Sequence, residues 1–290
     1  MTYFPDYLKS YPNMDSTCPL HISLNQLEHG YRAHRHDFLE FSYVIEGEGV
    51  ETINGVPHKM TAGTFTFVLP YQIHEIFTEP GSKLVLYNCN FSMNLLMNPH
   101  KDGGLMALMD MSPLPSHLQL EENQHYKMLQ LVQELHEEYI SEKPWKLSLM
   151  QAQLTGILIS FDRIRQKKET RAVAAPSAQL HKASVWPIIY YIHQHYQEPL
   201  ALSDLAVKFA MSLSRISEVI KETTGQSFVH FLHDLRMRHA CSLLASTEMS
   251  VAEIALEVGY GSYPTFARVF KATKGIVPKE YRKLMQKNVI

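Results

Sequence analysis

The chain has 290 residues, 45% of them apolar and 19% charged, which predicts about two domains with real cores and excludes disorder over the whole length. It holds no run of about 18 uninterrupted apolar residues, so no spanning helix is expected, and its start, MTYFPDYLKSYPNMDS, lacks the basic-then-apolar order of a secretory signal. The net charge of −2 hides an asymmetry: 11 Lys+Arg stand against 19 Asp+Glu in residues 1–165, 4 against 1 in 166–183 and 12 against 9 in 184–290, an acidic front and a mildly basic rear, as expected if only the rear meets a polyanion.

In chain order, residues 30–91 read as strands. EFSYVIEGEGVETINGVPHKM has alternating and β-rich stretches, and Asn54-Gly55 is a two-residue hairpin signal. GTFTFVLP and KLVLYNCNF continue the β character, and short strands at close spacing predict a small barrel or jelly roll. Leu105, Met106, Leu108, Met109 and Met111 form an apolar patch suited to a core or a lid. Cys18, Cys89 and Cys241 are far apart and odd in number, against a disulfide framework or a cysteine zinc site and in favour of a reducing cytoplasm.

His34, His36 and Glu40 form His-x-His-x3-Glu, with Gly47 further along, and His74 follows Pro70 in a later strand-like segment. Their even numbering places the first three on one face of a continuous strand. The pattern resembles the signature of the cupin barrel, and the resemblance implies that these four positions ligate a divalent metal in the metal-binding cupins. Three imidazoles and a carboxylate suit zinc, iron, manganese or nickel. Two departures stand out: Gly30 lies closer to His34 than the equivalent glycine of that signature, and no glycine separates Pro70 from His74. Three readings therefore stay open: an effector pocket, ranked first, a metal site, and a hydrogen-bonded remnant. No metal or other cofactor is assigned.

Two helices follow. Leu129, Val132, Leu135 or His136, and Tyr139 keep helical spacing, as do Leu147, Met150, Leu154, Ile157, Phe161 and Ile164. Each is expected to run about 30 Å, covering the barrel and forming a homodimer seam. Residues 166–183, QKKETRAVAAPSAQLHKA, read as a linker. The expected division is a sensing and dimerising domain over 1–165, the linker over 166–183 and a second domain over 184–290.

The rear contains an internal repeat. Residues 203–225 superpose on 252–275: Ala206 falls on Ala255, and Val219, Lys221, Thr223 and Gly225 fall on Val269, Lys271, Thr273 and Gly275. Each copy reads as helix, short turn, helix. Leu202, Leu205, Ala206 and Phe209 form one stripe and Ile216, Val219 and Ile220 another, ending at Gly225. In the second copy Val251, Ile254, Ala255 and Val258 precede Gly259-Tyr260-Gly261. Ser262 is the expected N-cap, Pro264 suits the first turn, and Phe266, Val269 and Phe270 face inward. Phe228, Phe231, Leu232, Leu235, Ala240 and Leu244 define a joining helix. His193, His195, His230 and His233 lack partners at ligand spacing and are expected at the surface.

Leu205-Ala206, Ser212, Phe231 to Arg236, Ala240, Ile254-Ala255, Gly259-Tyr260, Phe266, Arg268, Phe270-Lys271, Gly275, Pro278 and Tyr281-Arg282 closely resemble the AraC/XylS class of bacterial transcription regulators over about 80 residues. The resemblance implies an α+β chain: a cupin-like barrel with two following helices, linked to an all-α domain whose two helix-turn-helix units enter adjacent major grooves roughly 34 Å apart. Its base-contacting positions fall on Ser214, Ser217 and Glu218, and on Tyr263, Pro264, Thr265 and Arg268. Arg215 also avoids the buried stripe, Arg268 can span guanine O6 and N7, and Lys221 and Lys271 suit phosphates. Glu218 departs from the family's basic residue and repels phosphate, which weakens the first unit.

The same resemblance implies a cytoplasmic activator of carbohydrate metabolism that binds double-stranded DNA, a small-molecule effector such as a sugar and RNA polymerase. His34, His36, Glu40 and His74 would supply polar contacts to the effector. Tyr43, Phe65 or Phe67 would supply an aromatic face. The alternative is a metal-dependent cupin enzyme, an isomerase or dioxygenase, with an accessory DNA-binding domain.

Overall fold

A computed structural model describes residues 6–8, 10–14, 18–96, 108, 115–172 and 185–287. The chain divides into a unit of residues 1–14 and 18–182 and a second of residues 15–17 and 183–290. Leu105, Met106, Met109 and Met111 fall outside the described residues, while Leu108 is buried.

The front unit is built of β1 (Asp6–Leu8), β2 (Leu20–Leu27), β3 (Tyr31–His36), β4 (Leu39–Ile53), β5 (Val56–Thr61), β6 (Thr64–Val68), β7 (His74–Phe77), β8 (Leu84–Phe91) and β9 (His117–Gln119). β4 serves two sheets. Its first half pairs with β8 and β6, with β2 beyond β8 and β9 beyond β6. Its second half pairs with β5 and β7, with β3 and then β1 beyond β7. All these pairings are antiparallel except β1 with β3. The β4–β5 turn is the expected hairpin: Ile53 faces Val56, and Asn54 (φ 49) and Gly55 (φ 81) take the left-handed conformations of a type I′ turn.

Two local features shape the barrel. The register of β4 against β8 shifts between Val44 and Glu46, inserting one residue that bends the strand. Gly47 follows at φ +88, and a Cβ there would stand 1.8 Å from the Lys83 carbonyl oxygen. The expected single strand carrying His34, His36 and Glu40 does not form. The two histidines end β3, a bend at Asp37-Phe38 intervenes, and Glu40 opens β4.

Helices α1 (Glu122–Ile140) and α2 (Lys146–Ala172) pack on each other. Their inner stripes are Met128, Val132, Leu135 and Glu138, and Met150, Leu154, Ile157, Leu158, Phe161 and Arg165. The first stripe thus begins at Met128 rather than Leu129, and Leu147 is exposed. Phe161 stacks on Phe65 at 4.7 Å, fixing α2 against the sheet of β6. α2 has 27 residues, about 40 Å, and runs to Ala172, through the first part of the expected linker. QKKET contains no helix breaker to stop it. Arg165, fully buried, closes this end on Asp162 (2.7 Å) and on the Leu108 carbonyl (3.3 Å).

The rear unit comprises α3 (Trp186–His195), α4 (Leu202–Lys208), α5 (Leu213–Thr224), α6 (Phe228–Ser246), α7 (Val251–Glu257), α8 (Tyr263–Lys274) and α9 (Pro278–Lys287). Ser212, Ser227 and Ser250 cap α5, α6 and α7 by accepting from backbone N–H groups. Ser262 is the N-cap of α8 but makes no such bond, and its hydroxyl instead meets that of Thr265 at 3.0 Å. Gly225 (φ 75) and Gly275 (φ 78) end α5 and α8 in the left-handed conformation. Ala240, Leu244, Ile254, Ala255, Phe266 and Phe270 form one fully buried cluster joining α6, α7 and α8. His195 meets Glu198 at 2.8 Å and His233 meets the Tyr260 hydroxyl at 2.7 Å. His193, expected at the surface, is buried against Phe231, because α3 turns its apolar face inward.

Two outcomes follow for stability. Gly47→Ala forces a backbone clash at positive φ and should cost the front unit more than ~2 kcal/mol, read as its thermal unfolding; an unchanged midpoint would contradict the close approach to Lys83. Burial, and then the Arg238 charge, push the His239 imidazole down to about 3, and burial pushes His193 well below its usual value. Unfolded histidines protonate below about 6.5, so stability held above that pH should drain from the rear unit as pH falls towards 3. Urea unfolding at successive pH values checks this, and His239→Phe should flatten the slope.

Candidate effector pocket and nucleic-acid interface

The two ends of the His-x-His-x3-Glu run meet His74 because β3 pairs with β7, setting His34 opposite His74, and β7 pairs with β4, setting His74 opposite Ile53. Donor atoms of His34, His36, Glu40 and His74, all buried, lie within 4.8 Å of one another. His36 Nε2 is 3.1 Å from His74 Nε2 and 3.2 Å from Glu40 Oε2.

The outer bonds of these rings determine what they present inward. His34 Nδ1 lies 3.0 Å from the Arg32 carbonyl and His36 Nδ1 lies 2.9 Å from the Phe38 carbonyl. Carbonyls only accept, so both Nδ1 atoms carry a proton, and each Nε2 offers a lone pair when its ring is neutral or a second N–H when it is charged. His74 Nδ1 meets Glu51 Oε1 at 3.3 Å, with the same consequence. Two lone pairs 3.1 Å apart repel unless a proton or a cation lies between them. Burial lowers the affinity of His74 for a proton, but the Glu40 and Glu51 carboxylates outweigh it and raise its pKa. Burial likewise pushes Glu40 up, yet His74 and His36 hold it down at about 2. Burial and the His74 charge lower His34 to about 4.

The donor set fits a divalent transition metal. Two ligands bound at about 2.1 Å to one ion stand roughly 3.0–3.4 Å apart, which matches both distances from His36 Nε2. Outer acceptors on every Nδ1–H are the usual support of metal-bound imidazoles.

A cavity of about 470 Å³ opens beside this cluster. His34, Glu40 and His74 line it, whereas His36 lies behind them at 0% exposure. Asn88 donates to Glu40 Oε1 at 2.8 Å, and Asn90 Oδ1 is buried with no hydrogen-bond partner among the described residues. The aromatic walls are Tyr11, Tyr31 and Phe38. Tyr43 is not among them. It occupies the opposite face of β4, where its hydroxyl meets His125 of α1 at 2.5 Å, and Phe65 and Phe67 share that helix-facing layer. Side chains alternate along a strand, so Glu40 and Ser42 point into the barrel while Phe41 and Tyr43 point away.

Sequence reasoning missed Glu51 and His58. The two sit directly opposite on β4 and β5. His58 Nε2 lies 3.2 Å from Glu51 Oε2 and from Thr66 Oγ1, and the His58 ring stacks on His117 at 3.9 Å. Burial raises the Glu51 carboxyl, but bonds from His58 and His74 bring it below the usual range. The only advance sign was that Glu51 stands in a β-rich run, where it is one of four glutamates with Glu40, Glu46 and Glu48.

In the rear unit the apolar stripes are buried and the other faces are open. On α5, Ser214, Arg215, Glu218 and Lys221 are exposed and Ser217 is half-buried, while Ile216 and Ile220 are fully buried. On α8, Tyr263, Pro264, Thr265, Arg268 and Lys271 are exposed over buried Phe266 and Phe270. Glu218 is not a bare charge, because Arg215 Nη1 donates to its Oε2 at 2.8 Å and also lies 3.8 Å from Glu222.

Two family models match in order along the chain: an AraC-like ligand binding domain over residues 20–158 and a helix-turn-helix domain over residues 205–284. Similar proteins include the HTH-type transcriptional activator RhaS of Enterobacter sp. (strain 638), 25% identical over 91% of this chain and 92% of that one. RhaR of Yersinia pestis bv. Antiqua (strain Angola) is 24% identical over 96% and 91%, and RhaS of Citrobacter koseri is 24% identical over 91% and 92%. With both models in this order and such relatives matching along most of their length, the chain belongs to the AraC family of helix-turn-helix transcriptional regulators.

Proposed function

We propose that this regulator reads operator DNA with α5 and α8 and senses a small polyhydroxylated molecule, a sugar, in the barrel cavity. The observation that carries the first part is the exposed face of α8, where Tyr263, Pro264, Thr265, Arg268 and Lys271 stand clear of the core. Arg268 pairs with a guanine edge, and Lys271 and Lys221 meet phosphates. Ser214, Ser217, Glu218 and Arg215 form the reading face of α5, where the Arg215–Glu218 pair leaves little net attraction for phosphate.

The second part rests on the cavity. Asn88, Asn90, Glu40, His34 and His74 offer acceptors and donors between aromatic and aliphatic walls, the mixture that hydroxyl groups over an apolar sugar face require. Similar proteins being named activators supports an activating role with contact to RNA polymerase. The residues of 1–172, seven more than expected because α2 runs to Ala172, form the sensing domain and those of 184–290 the DNA-binding domain, with the linker between them. Exposed Tyr126, Ile140, Trp145 and Leu149 on and between α1 and α2 supply the seam of a homodimer. The reading is of a cytoplasmic regulator and not an enzyme, supported by similar proteins being named transcriptional activators; no described helix is long and apolar enough to cross a membrane.

A second reading is favoured by the imidazole geometry: the barrel holds a divalent metal on His34, His36, Glu40 and His74. Bound there, the ion would supply a Lewis-acidic point for effector oxygens. Glu40 and the three Nε2 atoms hold it, and the cavity admits the effector from one side.

Arg268→Ala should weaken binding to the natural operator by ~1–3 kcal/mol and relax one base position, whereas Lys271→Ala should weaken all sequences alike and lower the salt slope by about 1. Fluorescence anisotropy on operator and scrambled duplexes reads both, and full affinity in Arg268→Ala removes the base contact. In a thermal-shift screen of the whole chain against monosaccharides, with and without Zn²⁺, at least one sugar should raise the first unfolding midpoint, and Glu40→Gln should abolish that shift. A screen without any response sinks the sugar assignment.

A further inference from the structure

Glu51 is a fully buried carboxylate that neither DNA reading nor the cavity explains, since it does not line the cavity. It stands between two imidazoles, His74 at 3.3 Å through Oε1 and His58 at 3.2 Å through Oε2. His58 is in turn held by Thr66 Oγ1 at 3.2 Å and by the His117 ring. Contacts from β9, β6 and β5 therefore lead through His58 and Glu51 to the back of His74.

We infer that Glu51 is the positioning residue of the barrel's metal set, fixing His74 as the Nδ1–H tautomer so that Nε2 is the ligand atom, with the His58 ring packed 3.2 Å from its other oxygen. This rests on the second reading above, that the four-donor set takes a metal. The other two rings have their Nδ1–H groups anchored by backbone carbonyls of their own or the adjoining segment, Arg32 and Phe38. Those anchors come with the local chain. His74 opens β7 and its anchor is a side chain from β4, so its orientation alone depends on a residue distant in sequence. A neutral imidazole without that acceptor can protonate either nitrogen and turn. Loss of such an outer support weakens metal affinity by roughly 10–100-fold in other proteins.

The whole chain, stripped with a chelator, is titrated with Co²⁺ and followed by its visible d–d absorption, with Zn²⁺ as competitor. The wild-type chain should bind one ion. Glu51→Leu should lose about 10–100-fold in affinity and change the band shape, and Glu51→Gln, which keeps an acceptor oxygen for Nδ1–H, should regain most of the loss. Folding of each variant is checked by circular dichroism and by operator binding. Histidine side-chain ¹H–¹⁵N spectra of the Zn²⁺-loaded wild-type chain give a readout that needs no variant at Glu51: His74, assigned from the resonance lost in His74→Gln, should be ligated through Nε2 with a retained Nδ1 proton. A wild-type chain that binds no Co²⁺ or Zn²⁺ overturns the metal reading and this inference with it. Metal binding with His74 ligated through Nδ1, or with affinity and spectrum unchanged in a folded Glu51→Leu chain, overturns the role of Glu51 and leaves the metal reading intact.

Discussion

A one-residue bulge in β4 governs which side chains enter the barrel. Before it, even-numbered residues point inward: Glu40, Ser42 and Val44 lie on the interior face, and Val44 packs against Met60, Leu84 and Leu86. After it the parity reverses, and Glu51 and Ile53 are the buried ones. Both carboxylates thus reach one interior although they are eleven positions, an odd offset, apart. Gly47 lets the strand pass the Lys83 carbonyl at the bend, and the sheet closes only because that approach is open.

The interior so formed is polar in a way that a purely structural barrel would avoid. Buried charge is expensive unless it is paired and hydrogen-bonded. Here Asn88 donates to Glu40 with His36 3.2 Å away, and Glu51 meets His74 at 3.3 Å with His58 3.2 Å from its other oxygen. Each carboxylate is stabilised by imidazoles, and each imidazole is oriented by an acceptor, so removal of one member leaves another uncompensated. The opposite face of the same strand is aromatic, with Phe41, Tyr43, Phe65, Phe67 and Phe161 in one layer under α2. One strand therefore joins a polar interior to a hydrophobic face on which the long helices rest.

The rear unit follows a simpler rule. Each helix-turn-helix copy buries one stripe and leaves the other face to solvent, and the second copy is the better suited to a polyanion. α8 ends in Lys271 and Lys274 with no carboxylate on its exposed face, while α5 pairs Arg215 with Glu218. The joining helix α6 is buried along much of its length because it contributes to the packing of both copies.

The order of the two units, the hairpin at Asn54-Gly55, the duplicated helical units and the exposed face of each reading helix were all legible from residue types and spacing, since these depend on local periodicity, capping and turn chemistry. The gathering of His34, His36, Glu40 and His74 was legible as a motif, though not as one strand, because the bend at Asp37-Phe38 has no strong sequence signal. Tyr43, three positions from Glu40 and before the bulge, lies on the opposite face by simple alternation, which its aromatic character alone does not reveal; Glu51 and His58 were passed over for another reason. Strand parity assigns faces only relative to a known layer, and a bulge reverses it without leaving a mark in composition. Which side of β4 met the helices and which met the cavity, and which oxygen would orient each imidazole, were settled by pairing between strands far apart in the chain.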